Sequence, residues 1–65
     1  MSYLLCYRSR PWSDLDSLAR FVETLGGHIE LRRDAVDFYV PEDRAAMLVL
    51  KYSELVHIPA LDYQV

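Results

Sequence analysis

Three side chains able to handle metals or protons fall close together in this sequence: His28, Glu30 and Asp37. An imidazole and two carboxylates are ligand types of a catalytic zinc site, which uses three protein ligands. The same groups would serve an acid–base catalyst, given a cleft that shifts their pKa values. Against a metal, Arg32 sits in the same stretch, and no CxxC or HxxxH spacing occurs in the chain. The expectation is an exposed strand histidine, with no metal and no cofactor.

Nucleophiles are scarcer. The one cysteine, Cys6, would need a neighbouring base to become a thiolate. The sequence places neither His28 nor His57 beside it, so Cys6 reads as a buried structural thiol. Ser2, Ser9, Ser13, Ser17 and Ser53 all lack the Gly-x-Ser-x-Gly context of a nucleophile elbow. The expectation is a non-enzyme. The enzymatic alternative is a small oligomer whose site, formed between subunits, uses Glu30, Asp37 and His28.

Tyrosines on a sheet could stack the bases of a single-stranded nucleic acid, with Arg8, Arg10, Arg32 and Arg33 near the strand ends. The RNP signature is absent, however, and the formal net charge is −3. Affinity for phosphate backbones comes from neutralising them with Lys and Arg. Nucleic acid is therefore the less favoured partner.

Positioning these residues falls to one domain spanning residues 1–65. Hydrophobic residues make up 52% and charged residues 26%, a globular balance rather than a disordered one. A domain of this size buries only roughly 60% of its unfolded surface. One cysteine cannot form an intramolecular disulfide, so stabilisation falls to an efficient core or to oligomerisation. No run approaches the ~18 apolar residues of a membrane span. The first residues lack a signal peptide's basic start and apolar run. With the lone cysteine, this points to a cytoplasmic protein.

Residues 3–8 read as a strand, apolar on both sides. Residues 13–25 read as a helix with Ser13 as N-cap, Asp16 completing a capping box and Trp12 in position for a hydrophobic staple. Leu15, Leu18, Ala19, Val22 and Leu25 form its apolar stripe. Asp16 and Arg20 form an i,i+4 pair on the polar side. Gly26-Gly27 ends it. Residues 28–40 read as a hairpin with a two-residue turn at Arg33-Asp34. That register pairs Leu31 with Val36, Glu30 with Asp37, Ile29 with Phe38 and His28 with Tyr39, and puts every apolar residue on one face.

Pro41 stops the strand, and Glu42-Asp43 opens a second helix. Its stripe is Ala45, Leu48, Val49, Tyr52, Leu55 and Val56. Residues 47–52 are also short and apolar enough for a strand, but the helix formers at 42–46 favour helix. Pro59 ends this segment, and residues 61–65 form a short final strand or a packed tail.

The order β-α-β-β-α(-β) gives an α+β domain: a small two-layer sandwich, a ferredoxin-like variant with its helices on one face of the sheet. Leu4 and Cys6 are expected to join Ile29, Leu31, Val36, Phe38 and Val40 beneath the helices; the alternative is that Tyr3 and Tyr7 face the helices and Leu4 and Cys6 face outward, or that the tail covers them. In the first arrangement the open face would carry Tyr3, Leu5, Tyr7, His28, Glu30, Arg32, Asp37 and Tyr39. Tyrosines there suit a protein interface. Glu30 opposite Asp37 is a like-charge pair: the two carboxylates are simply solvated, or a cation from Arg32 or from a partner eases their repulsion, or the register differs. The resulting expectation is a protein-binding module, acting on a partner or on itself as a homodimer. An inhibitor or adaptor, such as phages and mobile elements encode, fits that size. Its binding residues would be Tyr3, Tyr7, Tyr39, Glu30, Asp37, His28 and Arg32.

Overall fold

A computed structural model describes residues 3–11 and 15–64. The sequence-expected cap Ser13, the staple Trp12 and the final Val65 lie outside the described residues. Strand β1 runs Tyr3–Ser9, helix α1 Leu15–Thr24, β2 His28–Leu31 and β3 Val36–Pro41. A 3₁₀ turn at Glu42–Arg44 leads into α2, Ala45–Lys51. Two short strands follow, β4 at Val56–His57 and β5 at Tyr63–Gln64, separated by a 3₁₀ turn at Pro59–Leu61. The described residues thus form an α+β domain of two α-helices and five strands. The sheet order is β2-β3-β1-β4, with β5 also on β1, and every pairing is antiparallel.

The hairpin forms where alternation and turn chemistry agree. Leu31 pairs with Val36, Glu30 with Asp37, Ile29 with Phe38 and His28 with Tyr39. The Arg32 N–H donates to the Ala35 carbonyl at 2.8 Å, closing the two-residue turn Arg33-Asp34. Helix α1 stops because Gly26 adopts a φ of +89°. Its N–H donates to the Glu23 carbonyl, and the Gly27 N–H to the Val22 carbonyl, both at 2.9 Å. These two bonds satisfy carbonyls that a helix end leaves without partners.

The main core joins Leu18, Val22 and Leu25 after and within α1, Val36, Phe38 and Val40 of β3, and Ala45 and Leu48 of α2. Leu5 and Tyr7 of β1 pack against it. A second, smaller cluster joins Leu4, Cys6 and Tyr39, with Ile58 and Leu61 against them. This reverses the expected faces of β1. The register sets Cys6 opposite Tyr39 and Tyr7 opposite Phe38. Paired residues of an antiparallel ladder share a face, so Tyr7 follows Phe38 toward the main core and Cys6 follows Tyr39 away from it. Leu31, expected in the core, is exposed near the end of the hairpin. Helix α2 is also shorter than its apolar stripe suggested. It ends at Lys51, and Val56 belongs to β4.

Candidate functional site

Three pairings align one row of residues across the sheet: Glu30 with Asp37, Asp37 with Arg8, and Arg8 with Val56. Asp37 is fully buried at the centre of this row. A buried carboxylate persists only with charged or hydrogen-bonding partners, and Asp37 has two. Arg8 donates from Nε to Oδ1 at 2.6 Å and from Nη2 to Oδ2 at 3.0 Å. Arg32 donates from Nε to Oδ2 at 2.8 Å, and its Nη2 reaches Glu30 Oε2 at 3.2 Å. The Arg8 hydrogen bonds and, after them, those of Arg32 hold the Asp37 carboxyl below the usual carboxylate range, against the opposing effect of burial. The same pairing pushes both guanidiniums above their ordinary value.

The like-charge pair Glu30 and Asp37 is thus neutralised within the chain. Arg32, named as a candidate from the sequence, bridges both carboxylates. Arg8 supplies the second cation, so no partner charge is required at Asp37. Asp37 presents no surface of its own. What faces outward are the two guanidiniums it holds, with side-chain exposures of 39% for Arg8 and 46% for Arg32.

The neighbouring row is aromatic. His28 stacks on Tyr39 with ring centroids 4.9 Å apart and planes 12° from parallel. Tyr63 meets the same ring edge-on at 5.6 Å. Tyr39 is consequently only 6% exposed, and burial raises its hydroxyl pKa. Cys6 lies opposite it, fully buried, with its thiol pushed up mainly by desolvation. The other two tyrosines of the expected face are elsewhere. Tyr7 is half-buried beside the main core, 5.1 Å from the His57 ring, and its pKa is raised by burial. Tyr3 is exposed at the start of β1, in step with Leu5 and Tyr7 rather than with Tyr39. The structure therefore brings together His28, Glu30, Arg32, Asp37 and Tyr39 and separates Tyr3 and Tyr7 from them. Among the described residues, no three His, Cys, Asp or Glu side chains gather as a metal site.

An open cleft of about 760 Å³ borders the ionic row at the end of β1. Its lining includes Arg8, Arg10, Asp34, Glu54, Val56 and Ile58. Val56 is 60% exposed there. Reading the sequence placed Arg8 and Arg10 only in the nucleic-acid alternative and assigned Val56 to a helix stripe. Arg8 was within reach of sequence reasoning: once β1 pairs antiparallel with β3, two-residue alternation puts it on the Cys6 face. Val56 could not be found that way, because it enters the site only where the chain returns to β1.

No family model matches the chain, and no curated protein or solved structure matches it. None of the described helices is long and apolar enough to cross a membrane.

Proposed function

We propose that the chain is a small non-enzymatic protein-binding module, an inhibitor or adaptor that acts by occupying a partner's surface through the open face of its sheet. One observation carries this reading: Asp37 locks a partly exposed Arg8 at the border of an open cleft, in register with the exposed Val56. Arginine is enriched in interface hot spots. A guanidinium fixed before the encounter loses less rotamer freedom on binding than a free one. Arg10, Asp34 and Glu54 around the same cleft carry both signs of charge, which suits a protein surface better than a polyanion.

Tyr39 is covered by His28 and Tyr63, which weighs against base stacking and hence against a nucleic-acid partner. The strand order supports a short ferredoxin-like arrangement, with the helices against one face and the other, covered in part by Ile58 and Leu61, left for binding along the ionic row. A second copy of the chain could occupy that face as a homodimer. The phage or mobile-element origin rests on size and the lack of recognisable chemistry, and a cytoplasmic setting on the sequence's use of a single cysteine.

The test is affinity capture from a lysate of the encoding organism, with nuclease treatment, comparing the wild type with Arg10→Glu and Val56→Asp. Both side chains are exposed, so neither change should disturb folding. A stoichiometric protein retained by the wild type and lost by both variants supports the reading. Equal capture by all three, or material that disappears with nuclease, contradicts it.

A further inference from the structure

Residues 56–64 lie over the second cluster as a strap, and their attachments are few. The strap pairs with β1 through Val56 and His57 at one end and Tyr63 and Gln64 at the other. Between these ends the chain leaves the sheet for its 3₁₀ turn, which interrupts the ladder beside Cys6. There the Ile58 N–H donates to the Cys6 carbonyl at 2.8 Å. The Cys6 N–H donates to Asp62 Oδ1 at 2.7 Å, a side chain standing in for a strand carbonyl. The other carboxylate oxygen, Oδ2, lies 2.8 Å from His57 Nε2 and ties the two ends of the strap together.

The strap's apolar contacts from Ile58, Leu61 and Tyr63 go to Leu4, Cys6 and Tyr39, and on the main-core side its His57 ring lies 5.1 Å from that of Tyr7 at the margin of that core. Leu55, just before it, belongs with the main core. Releasing residues 56–64 would therefore leave α1, α2, β3 and the Leu5–Tyr7 side of β1 packed. Regions with little buried apolar contact of their own are the ones that open below the global unfolding free energy.

We infer that residues 56–64 form a latch that opens as a unit from Leu55 while the main core stays folded, and that Asp62 sets how often it opens. Shut, the latch occupies the outer edge of β1 and closes off Cys6. Open, it presents that edge together with Leu4, Cys6 and Tyr39. The inference does not depend on the binding function proposed above.

Cys6, as the one cysteine of the chain, reports the opening directly. The experiment is labelling of the native full-length protein with a thiol-specific disulfide reagent across low urea concentrations, alongside equilibrium unfolding. For the wild type, labelling should be faster than global unfolding allows and nearly independent of urea, because opening exposes little surface. Asp62→Ala orphans the Cys6 N–H and should accelerate labelling about ten- to a hundredfold. Asp62→Asn keeps an acceptor and should fall between the two. Val22→Ala weakens the main core without touching the strap, so it should lower the unfolding midpoint yet change labelling less than about twofold. The inference is overturned if wild-type labelling follows the urea dependence of global unfolding, or if Val22→Ala accelerates it in proportion to lost stability. The wild type and Val22→Ala decide the matter even if Asp62→Ala fails to fold.

Discussion

Asp37→Asn removes the charge that organises the open face and almost nothing else, because the two side chains have nearly the same shape. Asp37 accepts three hydrogen bonds from two guanidiniums. A bond to a charged group contributes about 1.5–3 kcal/mol net. The full sum will not be lost, since Arg8 and Arg32 regain water when released. Asparagine retains one acceptor oxygen but turns an NH₂ group toward a guanidinium. A loss of about 2–4 kcal/mol at pH 7 is expected. That is a large share of the roughly 3–10 kcal/mol available to a 65-residue domain.

The same difference has a required pH dependence. The Asp37 carboxyl titrates lower in the folded chain than in the unfolded one. Its contribution is therefore complete above the unfolded value and disappears as pH falls through the folded value below it. Asparagine has no such contribution to lose. Urea unfolding of both proteins between neutral and acid pH should show a gap that is constant near pH 7 and narrows in acid. A gap that stays constant into acid, or equal stability at pH 7, would refute the claim that Asp37 is an ionised, doubly paired carboxylate.

Gly27→Ala should destabilise by about 3 kcal/mol or more in thermal unfolding, because the new Cβ would overlap the Tyr39 carbonyl oxygen and press on the Val22 side chain. Leu50→Lys, at an 86% exposed position on α2, should change stability by less than about 0.5 kcal/mol in the same assay. Leu48→Ala, on the buried side of that helix, should cost about 2–4 kcal/mol. If both α2 substitutions have the same effect, the helix does not face the core as described.

The hairpin was legible because two independent signals coincide in it. Alternation on both strands and a polar turn at Arg33-Asp34 admit one register, and that register occurs. The end of α1 was legible for the same kind of reason, since Gly26-Gly27 follows the last apolar position of its stripe. Strand β1 carries apolar residues on both sides, so alternation alone could not say which side meets the helices. That choice came from its pairing with β3 and from the strap that buries Leu4 and Cys6. Residues 52–58 misled because Tyr52, Leu55 and Val56 happen to continue a helical spacing, whereas Val56 serves as an edge strand. Asp37 and Tyr39 looked exposed because strand parity reports a face, not its cover. Their cover comes from Arg8, His28, Arg32 and Tyr63, all outside β3.

Under the proposed function, a protein partner sits on the cleft beside the ionic row. Hydrogen exchange of the chain, alone and in complex with the captured partner, tests this placement most directly. New protection is predicted at residues 8–10, 34–35 and 54–58, with the outward side of α2 around Met47 and Leu50 unchanged. Protection confined to α2, or to Tyr3 and its neighbours on the helix side of β1, would contradict it.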